Sequence, residues 1–203
     1  GFTTVIILAT IIILMAISQL ASLKDSIVKL TTVELKKTSE ANAMIDAINI
    51  QARSNRNLIL FSEKQENDRD YKNIEESKEN IKKAIDYLES TIVSKEGTEI
   101  FANIKKSREE YLKFADQFLF LIENNRREEA LLLLKGDLRT TQLKYMDFVN
   151  QLINHEDNAS VKMGEETAKE ITRNIMIFSI VLLMAILLSV VFALWITKSV
   201  VNP

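Results

Sequence analysis

Arg53 and Arg56 are the residues whose type and spacing most invite a chemical reading. Three positions apart on a helix, they share a face. Two guanidiniums on one face can hold a carboxylate through paired, charge-assisted hydrogen bonds. Asn57 lies one turn after Arg53 and adds an amide. Opposite them, on the last long helix, a height argument given below places Thr141, Gln142 and Tyr145. Asn150 falls about 7 Å lower on the same helix, and it, Asn154 and His155 rank behind. The ligand such groups suit is a small anion, an amino acid or an organic acid. The plainer reading is solvated surface charge, because exposed arginine on a helical bundle is common and weakly energetic.

Other chemistries lack their residues. His155 is the only histidine, and Leu152 stands where a Glu-x-x-His metal motif needs a carboxylate. Glu156 and Asp157 follow it directly and so point in other directions around a helix, which argues against a metal site. The chain has no cysteine, hence no disulfide, thiolate metal site or thiol nucleophile. No glycine-rich phosphate loop and no Ser/His/Asp set is present. Asn158-Ala159-Ser160 matches a glycosylation triplet, a pattern that chance often supplies. These residues read as neither an enzyme nor a cofactor protein. A net charge of −2 gives no electrostatic case for binding nucleic acid.

The charge is unevenly placed along the 203 residues. Every Lys, Arg, Asp and Glu except Lys198 falls between Lys24 and Arg173. Before and after that interval run two uncharged apolar stretches, residues 2–23 and 175–196, each 22 residues long. At about 1.5 Å per residue, either reaches about 33 Å, enough to cross a hydrocarbon core. The first is too long for the apolar core of a signal peptide and lacks a clear cleavage site. The second has Phe192 and Trp195 near its end, where aromatic rings favour the headgroup layer. The expected organisation is a membrane span at 1–23, a polar domain at 24–173, a second span at 174–197 and a short exit at 198–203. Both chain ends then share one side of the membrane and the polar domain takes the other. Flanking lysines do not settle which, since long domains cross regardless of charge.

The polar domain reads as four helices. Tyr71, Ile74, Lys78, Ile81, Ile85, Leu88 and Ile92 recur at the alternating three–four spacing of a bundle. Phe101, Ile104, Arg108, Tyr111, Ala115, Phe118 and Ile122 repeat it. Between them, Gly97 is the expected terminator and Thr98 the expected cap. The first span has no breaker after it, so one helix is expected from the membrane to about Ser62. Asn67 or Asp68 should cap the next. A short helix is expected at 128–135. Asp137 should then cap a last helix running to Ile196, with Tyr145, Val149, Leu152, Ala159 and Met163 inward. The outer arms, 24–62 and 137–174, have nearly equal lengths, as do the inner arms, 68–94 and 98–124. Matched lengths are what an all-α, up-down-up-down four-helix bundle flanked by two transmembrane helices needs. With the outer arms in parallel step, Arg53 stands level with residue 145, the height argument used above. Gly164, the only glycine within the last helix, is either a soft point or a small residue at a contact, and the second is the expected role.

The exit of the second span, Phe192-Ala-Leu-Trp-Ile-Thr-Lys-Ser-Val-Val-Asn-Pro203, resembles entry into a HAMP linker. Lys198, Val200, Val201 and Pro203 fill its basic, apolar and proline places. Ile50-Gln-Ala-Arg53-Ser-Asn-Arg56-Asn-Leu-Ile-Leu-Phe61 looks like the arginine-bearing segment of sensor domains in methyl-accepting chemotaxis proteins. Glu128-Glu-Ala-Leu-Leu-Leu-Leu-Lys135 looks like their loop helix. The resemblance implies a bacterial inner-membrane receptor, a homodimer with its bundle outside the cytoplasm and ligand near the dimer interface. It implies signalling through the last helix and second span to HAMP, and onward to a cytoplasmic kinase and adaptor in further chain. Two readings compete with it: the input module of a sensor histidine kinase or other HAMP-linked enzyme, and a ligand-free membrane-tethered coiled coil.

Overall fold

With one proline and four glycines in the whole chain, little interrupts helix. In a computed structural model, which describes residues 2–61 and 64–201, the backbone forms α1 (Phe2–Lys29), a π-turn (Leu30–Glu34), α2 (Leu35–Leu60), α3 (Lys64–Thr91), α4 (Lys95–Glu123), α5 (Arg127–Lys135) and α6 (Asp137–Val201). No strand occurs among the described residues.

The chain divides into two compact units. One is Thr32–Ser160, and its α2, α3, α4 and the first part of α6 form the four-helix bundle. Its core collects Met44, Ile48 and Leu58 from α2, Ile74, Ile81 and Leu88 from α3, Ile104, Tyr111 and Phe118 from α4, and Tyr145, Val149 and Leu152 from α6. Burying each large apolar side chain favours the folded state by about 1.5–3 kcal/mol. The other unit is Gly1–Thr31 with Val161–Pro203. There Ile12 and Ile13 of α1 line one groove with Leu182, Leu188 and Phe192 of α6. Ile13, Leu14, Leu20, Leu183, Leu187 and Trp195 are exposed. Both helices are long and apolar enough to cross a membrane, with mean hydropathy over their most apolar stretches of 1.7 and 3.1.

The ends of the helices explain themselves. Ser94 caps α4: its Oγ accepts from the Gly97 amide at 3.1 Å. At the other end of α4, Asn125 takes a positive φ of 57°. The Arg126 amide reaches the Leu121 carbonyl at 2.8 Å and the Asn125 amide reaches that of Ile122 at 3.0 Å, a Schellman closure. α2 stops where Phe61 turns extended, and the Arg127 guanidinium donates to the Ile59 and Phe61 carbonyls at 3.3 and 3.2 Å.

Several local expectations are corrected. The first helix is not uniform, since a π-turn interrupts it at Leu30–Glu34. It ends at Leu60; Ser62 lies outside the described residues. α3 is already helical at Lys64, so Asn67 and Asp68 sit inside it and cap nothing. Ser94 rather than Thr98 caps α4, and Gly97 lies in its first turn. Asp137 opens α6 as its first residue. In α3 the expected Ile74, Ile81 and Leu88 are buried, but Asp70, Ser77 and Ala84 complete the buried row, while Tyr71 and Ile85 are only partly buried against the core and Lys78 lies outside it. In α4, Ser107 replaces Arg108. In α6, Glu156 and Ser160 continue the buried row and Ala159 faces out. A Cβ on Gly164 would meet nothing within 4 Å, so no close contact requires that glycine. Pro203, the last place in the HAMP-like exit, lies outside the described residues.

Candidate functional site

At the α5 end of the bundle a groove of about 450 Å³ opens between α2, α5 and α6. Ala52, Arg56, Ile59 and Leu60 contribute from α2, Leu131, Leu134 and Lys135 from α5, and Arg139 and Gln142 from α6. The geometry follows from local sequence. Positions 52, 56, 59 and 60 recur at helical spacing, so they share a face. Residues 135, 139 and 142 take the same spacing, but Gly136 breaks the helix between them. The Gly136 amide closes α5 on the Leu132 carbonyl at 3.0 Å, and a Cβ there would lie 3.2 Å from that carbonyl. Ala130 and Leu138, both fully buried, anchor α5 and the start of α6 to the core. Arg127 ties α5 to the end of α2.

Arg56, Lys135 and Arg139 are exposed, and none makes an ion pair with a carboxylate among the described residues. Their charges therefore add in one place, over an apolar floor of Ile59, Leu60, Leu131 and Leu134. Gln142 adds an amide, at present 3.5 Å from the Met146 sulfur. Such a groove suits an anion carrying a modest apolar portion.

The sequence-derived site is partly gathered here. Arg56 and Gln142 line the groove; Arg53 is exposed and does not. Asn57 turns to α3, donating from Nδ2 to Asp70 Oδ1 at 3.2 Å. Thr141 donates back to its own helix, to the Asp137 carbonyl at 2.8 Å. Tyr145 is wholly buried, its ring 6.1 Å from that of Tyr111. Burial pushes both phenols far above their ordinary titration range. Tyr111 donates to Gln51 Oε1 at 3.1 Å, whereas the Tyr145 hydroxyl has no hydrogen-bond partner among the described residues. Asn150 and Asn154 are exposed and lie outside the groove. His155 lies at the hairpin end, with Nε2 3.0 Å from Ser94 Oγ and Nδ1 3.6 Å from Glu96.

Lys135 and Arg139 are the groove residues that sequence reasoning missed. Their signal is present: they flank Gly136 at the junction of two helices, just above Gln142. The height argument, centred on residue 145, stopped short of them. Among the described residues no three His, Cys, Asp or Glu side chains gather as they would around a metal ion.

A family model described as a four helix bundle sensory module for signal transduction matches residues 1–171. No curated protein and no solved structure is matched. The match covers α1 through the first half of α6, the groove included, so the chain belongs to the family of four-helix-bundle sensory modules of methyl-accepting chemotaxis proteins.

Proposed function

We propose that this sensory module binds a small organic anion, an amino acid or a short carboxylic acid, in the groove between α2, α5 and α6. The observation carrying this reading is the convergence of Arg56, Lys135 and Arg139 with Gln142 over an apolar floor. Three like charges held together raise the local potential and favour whatever anion neutralises them. A carboxylate would take the guanidiniums in paired hydrogen bonds, and a side chain of modest size would cover Ile59 and Leu134. Arg53 and Thr141 stand nearby on the same two helices and are second-rank candidates.

In this reading the module is the extracytoplasmic part of a bacterial chemoreceptor in the inner membrane. It pairs as a homodimer, and lipid surrounds α1 and the end of α6. The ligand bridges α2 and α6, and α6 runs without interruption from Arg139 and Gln142 to Val201. A ligand that favours one packed arrangement of α6 over another shifts the population toward it. A small displacement then passes along α6 toward HAMP and the cytoplasmic kinase and adaptor.

The test uses the whole chain in lipid nanodiscs. Amino acids and organic acids are screened by thermal melting, then by calorimetry. A ligand at about a hundred times its Kd stabilises by about 2.7 kcal/mol. The expected result is a rise in melting temperature that Arg139→Ala or Arg56→Ala removes. A rise that survives both substitutions moves the site elsewhere, and no rise with any anion rejects direct sensing by this groove.

A further inference from the structure

Two rows of residues face each other in the unit formed by Gly1–Thr31 and Val161–Pro203. On α1 the less exposed positions include Ile12, Ala16, Gln19, Leu23 and Ser26. On α6 they include Ile171, Asn174, Phe178, Val181 and Ala185. Both rows alternate between spacings of three and four, as packed helices do. Gln19 and Asn174 are the amides among these apolar or small residues. They meet at one groove of about 280 Å³, which Leu20, Ile175, Phe178 and Glu170 also line. The groove lies at the ends of the apolar stretches that lead into the charged domain, where hydrocarbon gives way to headgroups.

One atom in the groove lacks what burial requires. Gln19 Oε1 is buried and accepts no hydrogen bond among the described residues. Asn174 stands on the facing row and does not supply one. Lipid brings no water to such an oxygen, so its donor has to come with whatever fills the groove. Charge narrows the choice. Glu170, one turn from Asn174, lines the same groove. Its ion pair is with Arg173 at 3.9 Å, longer than a charge-assisted hydrogen bond. A carboxylate and a guanidinium thus lie side by side there, each with hydrogen bonds still to make. A fitting occupant has an N–H-bearing cation for Gln19 and Glu170, an anion for Arg173 and an apolar tail for Leu20, Ile175 and Phe178. A bilayer contains molecules of that build.

We propose that this groove between α1 and α6 is a binding site for a phospholipid with a primary ammonium headgroup, of the phosphatidylethanolamine class. The ammonium donates to Gln19 Oε1 and to the Glu170 carboxylate. The phosphate lies by Arg173, and an acyl chain covers Leu20, Ile175 and Phe178. A trimethylammonium headgroup carries the same charges but no N–H, so it leaves Gln19 Oε1 without a donor. The site stands whether or not the groove between α2, α5 and α6 binds an anion.

The test purifies the whole chain in detergent and titrates it with phosphatidylethanolamine, phosphatidylcholine and phosphatidylglycerol of matched acyl chains. Retained lipid is read by native mass spectrometry. Phosphatidylethanolamine should be held about tenfold more tightly than phosphatidylcholine, which is what one charge-assisted hydrogen bond is worth. Gln19→Leu and Glu170→Gln should each bring that ratio toward one. Circular dichroism checks that both variants stay helical, and if one does not, the other decides. Equal retention of the two lipids overturns the proposal, as does a preference that survives both substitutions. Tightest retention of phosphatidylglycerol assigns the site to anionic lipid and overturns it too. So does retention by the monomer that is lost in the dimer, which gives the groove to a second copy of the chain.

Discussion

At the α5 end of the bundle, Arg56, Lys135 and Arg139 are exposed and make no ion pair with a carboxylate among the described residues. At the hairpin end, Lys37 is buried between Glu34 and Glu156. The same kind of residue does opposite work in the two places. Where cations face water together, their hydration is kept and their field stays available to a ligand. Where a cation is buried, its charge is already committed to neighbours, and its energy lies in what would be left behind on removal. Net charge, which is −2 for the whole chain, registers neither arrangement.

Removing one cation from each end breaks the comparison most sharply. Lys37→Met should destabilise the bundle by about 3–5 kcal/mol, because it leaves two buried carboxylates without their ammonium. Arg56→Ala should change stability by less than about 0.5 kcal/mol while weakening the ligand response. Thermal melts of both variants in nanodiscs check this; equal losses would erase the distinction. A pH series adds a sign. In the parent chain the Glu34–Lys37–Glu156 triad holds the Lys37 ammonium above its ordinary pKa, so its contribution is present at neutral pH and fades only at strongly alkaline pH.

Between the two ends lies a pair of buried tyrosines that differ in one bond. Tyr111→Phe removes the donor to Gln51 and strands a buried acceptor, at a cost of about 1–3 kcal/mol. Tyr145→Phe removes a hydroxyl that has no partner among the described residues, so stability should hold or rise slightly. Both phenols are kept protonated by burial, above the pKa of about 10 they have when unfolded. Their contribution is complete below that pH and is lost as pH rises beyond it. Melting temperature should therefore fall steeply above pH 10, and the Tyr111→Phe/Tyr145→Phe double variant should fall less steeply. Equal slopes would mean that neither phenol is shielded.

The same distinction explains what could be read from the sequence. The two apolar helices, the four bundle arms and α5 declare themselves through hydropathy and spacing alone. The expected 128–135 and the observed Arg127–Lys135 differ by one residue. In α3 the large apolar residues were legible, with Ile74, Ile81 and Leu88 buried and Tyr71 and Ile85 packed against the core. Ser77 and Ala84, which an apolar periodicity passes over, complete the buried row. Lys37 and Gln51 give no signal in an apolar periodicity, because the partners that bury them stand on other helices. Only the fold supplies Glu156 to Lys37 and Tyr111 to Gln51. The groove was half legible for the same reason. Arg56 was found by its spacing from Arg53 and Gln142 by its level on an arm of nearly equal length, whereas Lys135 comes from an element whose angle no spacing reveals.

Two glycines give the smallest contrast. Gly97 lies where α4 begins beside Glu156, and a Cβ there would sit 2.6 Å from Ser94 Oγ and 3.0 Å from Ile92 Cγ2. Ser94 Oγ is also the cap of α4, so it cannot yield without losing its bond to the Gly97 amide. Gly97→Ala should cost about 1–3 kcal/mol, as overpacking does. At Gly164 a Cβ would meet nothing within 4 Å. Gly164→Ala should add up to about 1 kcal/mol through helix propensity alone. Because α6 continues through this position toward the second apolar stretch, the added stiffness should appear as slower amide exchange across residues 161–168. Slower exchange without any gain in melting temperature would make Gly164 a local soft point that the rest of the helix does not feel.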